Sequence, residues 1–104
     1  MSRRKRNLPR GWYPVDKKDC QREIESFLEG WSFSHLPLGR GLGGIVPHAG
    51  WYFSGKLVAR VFYLLKSKSK AELIVLYGGH LGSDDLPRIA TEKTWETPFG
   101  EMEV

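Results

Sequence analysis

Two short apolar runs, each followed by a histidine and separated by one amphipathic segment, constrain this chain more than any other feature. The first is Ile45-Val46, ended by Pro47-His48-Ala49-Gly50; the second is Leu73-Ile74-Val75-Leu76-Tyr77, followed by Gly78-Gly79-His80. Proline stops the first run, because it cannot donate to a sheet ladder. The second is unbroken and of strand length, as expected of a strand buried on both faces. Between them, residues 49–54 read as a loop and Ser54 as the N-cap of a helix reaching about Lys68. Leu57, Val58, Val61, Phe62, Leu64 and Leu65 form its apolar face, and Lys66, Lys68 and Lys70 suit its C-terminal end. Strand, helix, strand at these lengths predicts a right-handed βαβ unit. The expected fold class is α/β, a mostly parallel sheet flanked by helices.

The flanking segments have their own signals. Gly11-Trp12-Tyr13-Pro14 is a rigid aromatic lead into a first helix, with Asp16 as N-cap and Asp19 at the third helical position. Val15 and Cys20 stand where a hydrophobic staple would place them. Cys20, Ile24, Phe27, Leu28 and Trp31 recur at helical spacing, and Gly30 can close the helix. Cys20 therefore reads as a small core residue rather than a ligand. Residues 32–44 form a connector that contains Pro37 and a surface histidine, His35. Residues 82–88 are loop. In residues 91–104, Trp95, Thr97, Phe99, Met102 and Val104 alternate around Pro98-Phe99-Gly100, which predicts extended, hairpin-like structure. The pattern stops within that segment, so a domain cut short is expected.

A chain of 104 residues with 40% apolar side chains is one modest globular domain. Its net charge of +4 has to be divided before it means anything. Arg3, Arg4, Lys5, Arg6 and Arg10 carry five positive charges in the first ten residues; the other eleven bases face twelve acids. Such a run can contact nucleic acid or an acidic membrane face, but the reading here is a solvated, disordered tail over 1–10 and a domain over 11–104. Nucleic-acid binding would rest on that tail and on Trp12 and Tyr13 alone. One cysteine fits a reducing compartment. No apolar run approaches the ~20 residues of a membrane span, so the expected location is the cytoplasm.

If the two runs are neighbouring parallel strands, His48 and His80 emerge at the same sheet edge, where α/β proteins place their chemistry. Imidazole is a common ligand of zinc, copper and iron. Nine of the twelve glycines fall between Gly39 and Gly82, and Gly50, Gly78, Gly79 and Gly82 leave room beside the histidines. Each imidazole can instead bond within its own loop; two at equivalent strand ends favour a metal. Tyr52, Ser54 and Asp84 lie near enough in sequence to line the same crevice, with Gly50 and Gly79. Ser54 as a nucleophile lacks a visible third partner. The stretch Gly39-Arg40-Gly41-Leu42-Gly43-Gly44 precedes a strand rather than following one, so it is no dinucleotide fingerprint.

The chain resembles the Memo family from about Arg10 to Val104. The residues that carry the resemblance are Trp12-Tyr13-Pro14, the specific segment Pro47-His48-Ala49-Gly50-Trp51-Tyr52-Phe53-Ser54-Gly55, then Val75-Leu76-Tyr77-Gly78-Gly79-His80 and Trp95-Glu96-Thr97-Pro98-Phe99-Gly100. In prokaryotes the family is called AmmeMemoRadiSam system protein B. The resemblance implies the N-terminal part of a larger three-layer fold shared with LigB-type class III extradiol dioxygenases. It also implies an iron or copper ion for which His48 and His80 are two of three ligand positions. The third position lies downstream of this chain's extent in the family, and Cys20 sits on the wrong segment to replace it. Tyr77-Gly78-Gly79 departs from the family's usual Gly-Pro before the second histidine. Metal binding without turnover is expected of this chain, with a small aromatic substrate in the parent reaction. The alternative implied by the resemblance is a non-catalytic module that binds peptides, phosphotyrosine segments among them. A second copy of the chain is a further expected partner, covering exposed sheet.

Overall fold

The computed structural model describes residues 2–36 and 39–104; Pro37 of the predicted connector lies outside them. The chain is α/β, with two helices and a three-stranded mixed sheet. Helix α1 spans Lys17–Leu28. Asp16 occupies its N-cap, Asp19 its first turn, and Gly30, at φ +65°, lets the chain turn away beyond its end. Cys20 is buried on its inner side. Helix α2 spans Trp51–Lys68, with Gly50 as N-cap and Lys66 and Lys68 in the last turn.

The start of α2 corrects the loop expected over residues 49–54. Ser54 lies inside the helix, where its hydroxyl donates backward to the carbonyl oxygens of Ala49 (2.8 Å) and Gly50 (3.3 Å). A serine competes for backbone partners in either direction, so the residue type alone does not reveal which it takes. Ser54 and Cys20 are the only buried side chains among the described residues.

The helices cross at Gly55. A Cβ there would stand 3.1 Å from Phe27 Cε2 of α1 and 3.2 Å from Trp51 Cδ2 of its own helix, so a side chain would make these rings give by a few tenths of an ångström. Phe27 and Trp51 tilt together with centroids 5.7 Å apart. Trp51 Nε1 donates to Glu23 Oε2 at 2.6 Å, and Arg60 Nε donates to the Phe27 carbonyl at 3.0 Å. The second bond satisfies a carbonyl that the end of α1 leaves unpaired. Beyond it, Trp31, Phe33 and Tyr63 form an aromatic cluster, with Arg60 over Trp31 and Lys68 over Phe33.

The strands lie elsewhere than the two apolar runs. Strand β1 is Arg3–Arg4, β2 is Thr94–Thr97 and β3 is Gly100–Glu103. Arg3 and Arg4 run parallel to Thr94 and Trp95; β2 and β3 form an antiparallel hairpin that pairs Thr97 with Gly100. The hairpin follows the expectation around Pro98, and Gly100 supplies φ +108° at the turn. Thr97 Oγ1 accepts from the Phe99 amide and donates to the Gly100 carbonyl. The sheet touches neither helix, so the expected flanking helices are not in place around it.

Residues 45–46 and 73–77 form no strand, and no ladder joins them among the described residues. The predicted βαβ ladder is therefore absent. A parallel pair is stable when both faces are covered. Here α2 offers cover on one side only, across a cavity of about 750 Å³ lined by Leu42, Val58, Phe62, Leu65, Leu73 and Val75 among others. The basic tail also departs from the expectation of disorder, because its bases have partners. Arg3 reaches Glu101 at 2.7 Å, Arg4 lies over the Trp95 ring, and Arg6 lies 4.3 Å over Tyr13. No helix among the described residues is long and apolar enough to cross a membrane.

Two outcomes follow from these contacts. Gly55→Leu should cost about 1–3 kcal/mol in urea unfolding by overpacking the helix crossing, whereas Gly55→Ala should be near neutral, its ~1 kcal/mol propensity gain offsetting the tight ring contacts. The Glu101 carboxyl is held below the ordinary carboxylate value, chiefly by the hydrogen bond from Arg3. A depressed carboxyl stabilises above its unfolded value and loses that contribution as pH falls through the folded one. Acidification below the ordinary carboxylate range should therefore free β1, seen as faster exchange of the Lys93 and Arg4 amides by NMR, and Glu101→Gln should remove that pH dependence. Both groups are exposed, so the effect on global stability should be slight.

Candidate metal centre

His48 is delivered by the segment that enters α2. Pro47 precedes it, and Gly50 caps the helix two residues later. The Trp51 amide donates to the Trp12 carbonyl at 2.8 Å, which ties the first turn of α2 to the lead-in of α1. A Cβ on Gly50 would sit 3.3 Å from the Trp12 ring, so the indole lies directly against this turn. The bonds from Ser54 to the Ala49 and Gly50 carbonyls hold the same turn from beneath. His48 thus stands on a loop fixed from two sides.

His80 arrives differently. It follows the apolar run 73–77 and the pair Gly78-Gly79, of which Gly79 has φ +108°. That conformation is open to glycine at no steric cost, and it turns the chain just before His80. The imidazoles of His48 and His80 lie with centroids 4.7 Å apart and planes inclined by 31°. The structure therefore brings together two residues 32 positions apart in sequence. Both side chains are exposed.

The other candidates divide. Gly50 and Gly79 shape the two loops in the ways just described. Ser54 is buried and turned toward the loop carbonyls, a supporting role rather than an open wall. Tyr52 is 89% exposed, stands edge-on to Phe53 and borders a second hollow near Asp16 and Asp19. Asp84 is exposed in the turn after His80, while its neighbour Asp85 organises that turn by accepting from the Gly82 amide at 2.7 Å. Asp85 was not singled out by the sequence, and Trp12 was singled out only as part of the aromatic lead into α1, not as a neighbour of Gly50. The only signal for Trp12 was an aromatic residue beside a glycine-rich loop it does not adjoin in sequence.

Two imidazoles side by side suit a borderline transition metal. Among the described residues, no group of three or more histidine, cysteine, aspartate or glutamate side chains could hold an ion. Cys20 does not add a donor: burial, then the nearby Glu23 carboxylate, push its thiol up, which disfavours the thiolate that metals bind. The residues present therefore fit part of a metal centre, two nitrogen donors with the remaining positions open.

Comparison with known proteins gives this geometry a setting. A sequence model described as Memo-like protein matches residues 4–104. A MEMO1 family protein of Aeropyrum pernix is 36% identical over 107 residues, covering 89% of this chain and 36% of the relative. The corresponding figures for a MEMO1 family protein of Pyrobaculum arsenaticum are 33% over 104 residues, 89% and 35%. For one of Ignicoccus hospitalis they are 34% over 103 residues, 86% and 34%. The chain thus spans about a third of the length of the curated relatives it matches. No solved structure matches it. With the match running over nearly every residue and including both histidine segments, the chain belongs to the Memo-like protein family.

Proposed function

We propose that this chain is a Memo-like metal-binding module in which His48 and His80 supply two ligands to an iron or copper ion. The observation that carries this reading is the juxtaposition of the two rings at 4.7 Å, across 32 residues of sequence and from separate loops. Gly79 and the Trp12–Gly50 contact support it, because each serves to place one of the two loops. A bound ion of this kind would supply Lewis acidity and, for iron or copper, one-electron redox chemistry. The chain's own contribution is to bring two imidazoles together and to leave the remaining coordination positions accessible. Ala49 and Gly50 leave the His48 side of the crevice unobstructed, and the exposed position of both rings admits a small aromatic molecule from solvent.

Oxygen-dependent ring opening, the chemistry that the resemblance to extradiol dioxygenases implies, needs more of the metal's sphere defined by protein than two donors define. The function proposed for the chain as given is therefore binding without turnover.

Isothermal titration with Cu(II) and anaerobic titration with Fe(II) should show one ion per chain at modest affinity. His48→Ala and His80→Ala should each weaken binding strongly, and the double variant should abolish it while the far-UV circular dichroism of α1 and α2 stays unchanged. Undiminished binding in the double variant would sink the reading. Stoichiometric uptake accompanied by catechol oxidation would instead overturn the absence of turnover.

A further inference from the structure

We propose that Ser54 is a positioning residue for His48: its hydroxyl, bonded to the loop that carries the imidazole, sets how well the two histidines share one ion. This role rests on the metal-binding reading above for its ion; the hydrogen bonds that produce it do not. Ser54 is 4% exposed and, with Gly55, is one of the two buried residues of α2. Anything else that packs on the open surfaces of the molecule can only deepen that burial.

A serine inside a helix commonly returns its hydroxyl proton to the carbonyl four residues back. Ser67 of the same helix does so, donating to the Tyr63 carbonyl at 2.9 Å. Ser54 reaches further. Its four-back partner is the N-cap, Gly50, at 3.3 Å, whereas the shorter bond, 2.8 Å, goes one residue beyond, to Ala49. A hydroxyl has a single proton to give, and the distances assign it chiefly to Ala49. Ala49 lies outside α2 and directly follows His48. The bond therefore leaves the helix and fixes the peptide plane between Ala49 and Gly50. Only the φ and ψ of Ala49 separate that plane from the peptide unit of His48. Among the described residues, no other donor reaches the Ala49 carbonyl, and no backbone hydrogen bond holds His48 itself.

A purely helical role would be better served by alanine, which forms helix more readily and has no polar group to bury. Glycine follows at position 55, so two weak helix formers stand together near the start of α2. What the hydroxyl supplies instead is a bond from a buried side chain to the loop outside. Trp12 braces the same loop, but through Trp51 and Gly50, on the helix side of Ala49. Ser54 acts one residue nearer the ligand. Groups that orient a metal ligand without touching the metal typically account for ~10–100-fold in affinity. Ser54 works through the backbone and not on the ring, which puts its effect at the lower end of that range.

In the full 104-residue chain, Ser54→Ala should keep the far-UV circular dichroism of the helices and weaken Cu(II) binding roughly tenfold in isothermal titration. Ser54→Thr retains a hydroxyl that can bond backward along a helix, and should restore the affinity. Ser67→Ala removes an ordinary four-back bond and should leave copper binding unchanged. A metal-free readout accompanies these: NMR cross-peaks between the ring protons of His48 and His80 should be clear in the wild type and weakened in Ser54→Ala. Wild-type copper affinity in Ser54→Ala overturns the proposal. So does a loss that threonine, properly folded, does not restore, or one that Ser67→Ala reproduces. A wild-type chain that takes up no copper ends the metal-binding reading by itself. In that case, or where the threonine variant does not fold, the metal-free cross-peaks decide: weakened in Ser54→Ala they uphold the positioning role, and undiminished they overturn it.

Discussion

The close approach of α1 and α2 at Gly55 is the constraint on which the rest of the helical half depends. With no side chain at that position, Phe27 and Trp51 reach each other, and the Trp51 indole reaches Glu23. An aromatic pair of this kind contributes about 0.5–1.5 kcal/mol beyond its buried area, and a hydrogen bond to a carboxylate about 1.5–3 kcal/mol. These contacts fall on the first residue of α2, so they also anchor the segment before it. The Trp51 amide on the Trp12 carbonyl then secures that segment from the other side. His48 inherits its position from this crossing. His80 does not, because the run that leads to it has no ladder and ends in two glycines. One imidazole is thus presented by a braced turn and the other by a compliant arm, and a metal joining them would itself complete the ordering of the second loop.

The parts of the fold that could be read from the sequence are those governed by neighbours in the chain. Asp16, Asp19 and Gly30 bracket α1 because capping and C-terminal glycine act within one turn. The hairpin around Pro98 was legible for the same reason. The start of α2 was not, because a serine hydroxyl chooses between forward and backward partners according to the tertiary path of residues 49 and 50. The contacts of the arginine tail were not legible because its partners, Trp95 and Glu101, lie some ninety residues away. The apolar runs were read as strands and form none among the described residues, because pairing between them depends on cover for both faces, which neighbours in the chain do not supply. The meeting of His48 and His80 was legible from equivalent positions after the two runs. Trp12 was not, since its contact with Gly50 is a matter of packing alone.

The charge distribution takes on a different meaning once the partners are known. Of the five bases in the first ten residues, Arg3 is engaged by Glu101, Arg4 by Trp95 and Arg6 by Tyr13. Exposed ion pairs contribute ~1 kcal/mol at most, and exposed cation–π contacts about 0.5–1 kcal/mol each. Together they hold β1 to the hairpin without help from a shared core, since the sheet touches neither helix. Three of the five cations in the basic run thus have partners within the chain.

The exposed run and His80 occupy one continuous stretch, and this couples them physically. Residues 73–77 set the direction in which Gly78 and Gly79 leave, and Gly79 sets the turn into His80. No ladder holds this stretch among the described residues, so the place of His80 depends on what covers residues 73–77. Cover that fixed those residues would leave less for a metal to order, and by linkage the effect would be mutual.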